Sequence, residues 1–221
     1  MRTTKKNTRL INQLKQIYKI RKNEIVSRLK EFERCRSQKS DEEIFGELTF
    51  CLLTPQSKAK SCWDAIETIR DENLLLNGTV EQIKKRLHSV RFHNKKAQYI
   101  ADARELFMRK GRIVIKPLLE QFADIHECRE WLVKNIKGLG YKEAGHFLRN
   151  VGLGENIAIL DRHILRNLEM LGVIDKIPKS IGRAKYMQIE KDMADFAKQI
   201  NIPLAHLDLL FWSKETGEIF K

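Results

Sequence analysis

The sequence predicts a mostly α-helical protein folded as two lobes. Three observations predict it. Apolar residues recur at three- and four-residue spacing along almost all of the 221 residues, only four prolines and eleven glycines interrupt them, and neither a β-α-β alternation nor a repeat of fixed period is present. The length is enough for a substantial buried core. We expect a basic N-terminal helical segment over 1–40 that packs with the second lobe, a helical lobe over 41–115, and a second lobe over 116–221, with the lobes free to interleave.

In the first segment Ile11, Leu14, Tyr18, Ile25, Leu29 and Phe32 recur at helical spacing and supply one packing face. Ser40 followed by Asp41, Glu42 and Glu43 starts a second helix, which Ile44, Leu48, Phe50, Cys51 and Leu52 make apolar enough to be central. Thr54-Pro55-Gln56-Ser57 ends it, because proline disfavours helical geometry in the residue before it. Further helices are expected over about 58–70, 79–87, 95–110, 126–136, 142–151, 162–171, 183–200 and 203–212. Arg112 to Ile115 reads either as a short strand or as a loop.

Charge points to the class of partner. Lys and Arg number 42 against 29 Asp and Glu, a net charge of +13, and residues 1–40 hold thirteen of those cations against three glutamates. Such a footprint suits a polyanion, although a merely solvated helix face is the competing reading. No run of about 18 apolar residues could span a bilayer, and no secretory leader is recognisable, so we expect an intracellular, cytoplasmic protein. Cys35, Cys51, Cys62 and Cys128 are scattered, without the close pairing that a disulfide framework, a zinc site or an iron–sulfur cluster would use.

The chemistry concentrates in Lys137-Gly138-Leu139-Gly140-Tyr141-Lys142 and, nineteen residues beyond Lys142, Asp161. Glycines between two helices allow positive φ and close approach, so backbone amides near Gly138 and Gly140 can meet a phosphate while Leu139 plugs the turn onto the core. Lys142 then offers an amine nucleophile in the first turn of a helix, where the positive end of the dipole opposes a further positive charge. Asp161 is also a good helix N-cap, and both roles can coexist. Val90-Arg91-Phe92-His93-Asn94-Lys95-Lys96 sets cations around one aromatic, which suits a wedge in a nucleic-acid stack with Lys95 and Lys96 on phosphates. Phe92 as ordinary core is the alternative. Gln56, at the helix break, is a candidate to fill the space of an extruded base.

These residues resemble the helix-hairpin-helix DNA glycosylase superfamily. The strings Tyr141 to Asn150 and Ala158 to Leu165 look specifically like the archaeal-type 8-oxoguanine DNA glycosylases, small enzymes that also occur in some bacteria. The resemblance extends over about 40–221 and includes the ending Leu207 to Lys221; the loop before Asp161 departs from the general pattern in having glycines but no proline.

The resemblance implies a two-lobed fold with its active site in the cleft between lobes. It implies excision of 8-oxoguanine through a Lys142 Schiff base assisted by Asp161, then strand cleavage by β-elimination. Asp208, Trp212 and Lys221 would recognise the base, and His163 would contact a backbone phosphate. The expected partner is double-stranded DNA containing 8-oxoguanine, met near the nucleoid of a prokaryote by a monomer with no cofactor, no metal and no membrane. Within the same fold, an endonuclease III-like enzyme for other oxidised bases is disfavoured by the missing C-terminal cysteine cluster. A non-catalytic helix-hairpin-helix module has no use for Asp161 or for the ending from Trp212 to Lys221.

Overall fold

The computed structural model describes residues 7–219, apart from the side chain of Thr216. They divide into two compact units: a continuous one, residues 33–153, and a discontinuous one that joins 7–32 to 154–219. The long helix α1 (Thr8–Gln38) belongs to the discontinuous unit through Phe32 and to the continuous unit in its last turns.

The continuous unit contains α2 (Asp41–Leu53), α3 (Ala59–Asp71), α4 (Leu74–Asn77), α5 (Val80–Arg86), α6 (His93–Phe107), β1 (Met108–Arg109), β2 (Arg112–Ile113), α7 (Lys116–Glu120), α8 (Ile125–Asn135) and α9 (Tyr141–Asn150). Its centre is α2, buried at every position from Ile44 to Leu53 and packed against α3, α6 and α9. A helix apolar all round has no solvent face and must be surrounded. Ser40 and Glu43 close a capping box at its start, with Ser40 Oγ accepting from the Glu43 amide at 3.2 Å and Glu43 Oε2 from the Ser40 amide at 2.8 Å. Asp41 Oδ1 accepts the amides of Ile115 and Lys116 at 2.7 and 2.8 Å, which ties the start of α2 to the start of α7.

The discontinuous unit adds α10 (Arg162–Met170), α11 (Arg183–Ile200) and α12 (Leu204–Thr216) to α1. α12 packs on α10 and α11, with Phe196 and Phe211 wholly buried. On α1, Leu14 and Ile25 are buried, while the cations Arg9, Lys15, Lys19 and Lys22 are exposed.

The expected division near residue 115 is corrected to 153/154: the glycine hairpin goes with residues 33–115 because α9 buries Ala144, Phe147 and Leu148 while packed on α2 and α8. The helix expected over 95–110 runs instead from His93 to Phe107. Lys110 and Gly111, both at positive φ (48° and 76°), make a tight hairpin that pairs Met108 with Ile113 and Arg109 with Arg112. The strand reading of 112–115 therefore holds for two residues, and the one-turn helices α4 and α7 have no counterpart in the expected set.

Removing the cap hydroxyl in Ser40→Ala is expected to cost about 1 kcal/mol in urea unfolding. Glu43 supplies a pH signature. The bond from the Ser40 amide, opposed by burial, holds its carboxyl below the ordinary value of 4.5. A depressed folded-state value gives stabilisation that is complete above about pH 4.5 and is lost as pH falls through the lower value. The stability gap between the protein and Glu43→Gln should therefore be flat above about pH 4.5 and shrink below it.

Candidate active site

Two helix ends build the lysine hairpin. α8 stops at Ile136, and Gly138 then takes φ +82°, where a Cβ would lie 2.3 Å from the Tyr99 ring. Only glycine suits that position. Leu139, 4 % exposed, fastens the turn to the core, and Lys137 pairs with Asp102 at 3.3 Å on its outer side. Gly140 is the N-cap of α9 and brings no side-chain acceptor to the helix start. The turn therefore keeps the positive end of the α9 dipole free of an N-cap side chain.

Lys142 is the second residue of α9, with its side chain 26 % exposed and its Nζ 3.3 Å from Glu143 Oε1. The Glu143 carboxylate folds back over the helix start, since a Cβ on Gly140 would meet its Oε2 at 2.9 Å. The far end of α9 is anchored to α2. Asn150 Nδ2 donates to Glu47 Oε2 at 3.3 Å, Lys39 Nζ donates to Glu47 Oε1 at 2.9 Å, and Arg149 Nη2 donates to Asn150 Oδ1 at 3.0 Å. Burial opposes the charge on Lys39, but the Glu47 carboxylate outweighs it and raises the lysine above its ordinary range. The neighbouring thiols are inert by the same physics. Burial, with Glu47 adding to it, pushes Cys51 up, and burial pushes Cys62 up to about 11 against the pull of Lys96.

Two loops of this unit carry left-handed residues. Gln56 has φ 56° and is exposed; Phe92, the N-cap of α6, has φ 59°, is 53 % exposed, and has the Arg91 guanidinium 5.7 Å from its ring centroid. Phe92 is therefore not core. Lys95 is exposed beside it. Lys96 is a correction to the expected phosphate contact: it is 4 % exposed, and its ammonium donates to Leu53 O and Pro55 O at 2.7 Å and to Ser57 Oγ at 3.2 Å. All three of its protons are thereby engaged. The carbonyls where α2 ends have no helical partner, and Lys96 supplies their donor. Burial, with Lys142 and Arg91 adding to it, lowers this lysine below its ordinary range.

In the discontinuous unit, Ile157 to Leu160 are buried without helix or strand, so their polar groups need partners. α11 provides them. Glu190 Oε1 accepts the Ala158 amide at 2.7 Å, and Tyr186 donates to Ala158 O at 2.7 Å while accepting the Leu160 amide at 3.2 Å. The segment delivers Asp161 to the N-cap of α10, where its Oδ1 accepts the Ile164 amide at 2.8 Å. His163 stands against Trp212, ring centroids 5.3 Å apart, with Nδ1 3.8 Å from Glu215 Oε2. Asp208, one turn before Trp212 on α12, is 2 % exposed. Lys221 lies outside the described residues.

The family model described as 8-oxoguanine DNA glycosylase matches residues 25–202. The chain belongs to this family. A relative from Fusobacterium nucleatum, named 8-oxoguanine DNA glycosylase/AP lyase, is 47 % identical over 98 % of this chain and 100 % of its own length. One of the same name from Methanocaldococcus jannaschii is 41 % identical over 94 % and 99 %. Among solved structures, the Methanocaldococcus jannaschii 8-oxoguanine glycosylase/lyase in complex with a 15mer DNA containing 8-oxoguanine aligns with TM-score 0.87 and 39 % identity, covering 97 % of this chain and 100 % of that chain. The 8-oxoguanine DNA glycosylase of Thermotoga maritima aligns with TM-score 0.85 and 32 % identity over 96 % and 99 %.

Several groups that position this 8-oxoguanine DNA glycosylase family member's site carried no message in the sequence. Glu143 went unread, although its place at the third helical position, from which a glutamate reaches back to the helix start, is a signal that could have found it. Tyr186 and Glu190, four residues apart on one helix face, gave no such signal, because their partner segment has no periodicity of its own. Nor did Lys96, which follows Arg91, His93 and Lys95 in a basic stretch.

Gly138→Ala is expected to destabilise the protein by at least about 1–2 kcal/mol from the left-handed backbone alone, with the Tyr99 clash added. Chemical denaturation would check it, and an unchanged midpoint would contradict the close approach to Tyr99.

Proposed function

We propose that this protein is a base-excision repair enzyme that removes 8-oxoguanine from double-stranded DNA and then cleaves the strand. The observation that carries the reading is Lys142 at the start of the glycine hairpin's second helix, in a chain 47 % identical over 98 % of its length to a relative named 8-oxoguanine DNA glycosylase/AP lyase.

In this reading the damaged nucleotide leaves the stack, and the neutral Lys142 amine attacks C1′ of its deoxyribose. The N-glycosidic electron pair departs with the base, which takes up a proton. The nitrogen gives up one proton, the C1′–O4′ bond breaks with O4′ taking up a proton, and the nitrogen, keeping its other hydrogen, becomes an iminium bonded to C1′. Loss of a proton from C2′ then expels the 3′ phosphate and cuts the strand. Glu143 holds the amine in place, and the Asp161 carboxylate offsets the positive charge that develops on the sugar. Support for Asp161 is that its bond to the Ile164 amide fixes its orientation before substrate arrives. This chemistry draws on no metal or cofactor.

Asp208, Trp212 and Lys221 are assigned to the extruded base, Trp212 by stacking and Asp208 by accepting hydrogen bonds. Gly138, Gly140, Lys95 and His163 are assigned to the DNA backbone, and Gln56 and Phe92, both exposed, to the gap and the opposite strand. We place the protein with the DNA in the cytoplasm, as a monomer. Among the described residues no helix is long and apolar enough to cross a membrane.

Borohydride should trap a covalent adduct with 8-oxoguanine duplex, and Lys142→Gln should form none while still binding DNA; an undiminished adduct would overturn the Schiff base. Asp161→Asn separates the two duties of its residue. Asparagine caps a helix as well as aspartate does, so stability should stay within about 0.5 kcal/mol. Excision under single-turnover conditions should fall by about 10²-fold or more as the charge is lost.

A further inference from the structure

Lys96 joins two places that are far apart in sequence. Its backbone amide donates to Phe92 O at 3.1 Å, within the first turn of α6, while its ammonium grips the chain on both sides of Gln56, at Pro55 O (2.7 Å) and Ser57 Oγ (3.2 Å). Ser57 Oγ also accepts the amide of Arg91, at 3.0 Å, so a second link runs from the Gln56 loop to the residue beside Phe92. The two residues held this way are left-handed at φ 56° and 59° and exposed. A non-glycine residue in that conformation costs of order 1–3 kcal/mol and persists only where its surroundings impose it.

We propose that Lys96 is a positioning residue that locks Gln56 and Phe92 into one preset, two-pronged element for opening the duplex. The proposal rests on the assignment of Gln56 and Phe92 to DNA given above. The ammonium suits the task because its three protons meet three acceptors at once: the carbonyl where α2 ends, the carbonyl before Gln56 and the hydroxyl after it. A neutral side chain of the same length leaves the buried Leu53 carbonyl and the half-buried Pro55 carbonyl without this donor and releases the Gln56 loop from α6. Exposed cations in the same stretch, Lys95 among them, are able to meet phosphate; Lys96 acts on DNA only through the residues it holds.

The prediction is selective for paired DNA. A single-stranded oligonucleotide with a preformed abasic site has no stack to open, so its cleavage tests Lys142 chemistry without the two prongs. Lys96→Met should remain folded by circular dichroism and cleave that oligonucleotide within about twofold of the unmodified protein, while single-turnover excision from 8-oxoguanine duplex slows about tenfold or more. The fluorescence of 2-aminopurine beside the lesion, which reports unstacking, should rise correspondingly more slowly. Gln56→Ala and Phe92→Ala should each slow duplex excision in the unmodified background and add little in the Lys96→Met background, because the prongs act as a unit.

A folded Lys96→Met with duplex excision within about twofold of the unmodified protein overturns the proposal, as does an equal loss on both substrates, which would mark general damage to the fold. Should Lys96→Met not fold, Ser57→Ala removes one acceptor and the Arg91 link; it should slow duplex excision several-fold and spare the abasic oligonucleotide, and equal rates on duplex overturn the proposal. Failure of the functional reading looks different: the unmodified protein would then release no 8-oxoguanine. If release occurs but Gln56→Ala and Phe92→Ala leave it untouched, the assignment of the prongs falls and the role of Lys96 with it.

Discussion

The continuous unit is organised around the cost of hiding a carboxylate in a helix that has no solvent face. Glu47 sits among Ile44, Phe45, Leu48 and Cys51 on α2 and is 2 % exposed. A buried charge with one partner removed is destabilising by about 3–5 kcal/mol, so its partners are effectively obligatory. They arrive from two directions: Lys39 from just beyond α1 and Asn150 from the last turn of α9. The apolar packing of α9 on α2 sets the distance between the helices, and the carboxylate sets their register. Lys142, at the other end of α9, inherits that register.

Where α2 ends, the same burial creates a second demand. The helix stops at Leu53, before Pro55, and leaves carbonyls inside the protein where water does not supply a donor. Lys96 answers it. The placing of Lys142, the buried Lys96 and the strained loops are thus consequences of one enclosed helix: one end must be braced by acids and amides, the other by an ammonium. Asp161 shows the same economy in the other unit, where the carboxylate that caps α10 is held by the cap in a fixed direction.

How much of this could be read from the chain varied with how local the cause was. The apolar pattern of Ile44 to Leu52 marked α2 as central, and the Ser40 to Glu43 start, the glycine turn and the capping position of Asp161 were visible because each is settled by residues within a few positions. Lys96 was misread for the opposite reason. Beside Arg91, Lys95 and an aromatic it looks like one more surface cation, and what buries it are carbonyls some forty residues earlier. The division of the chain was misplaced because α9 packs back on α2 across a long separation, which Gly152 and Gly154 beside the boundary do not by themselves reveal. Tyr186 and Glu190 were silent for want of a periodic partner. The helix limits slipped by two or three residues around Phe92 and Phe107, where a left-handed N-cap and the extended Met108 rather than apolar spacing decide the ends.

The discontinuous unit has a consequence for the order in which the protein is made. Synthesis delivers residues 33–153 complete, with the hairpin and its amine, before any of 154–219 exists. Until then α1, with Leu14 and Ile25 on its buried face, lacks the rest of its unit. The capping carboxylate of Asp161 comes next, and the tryptophan helix follows last. A nascent chain stalled near residue 153 would carry the glycine turn and Lys142 without Asp161, Asp208 or Trp212. Residues 154–221, Asp161 and α12 among them, are the last third of the chain to be added once the continuous unit is complete.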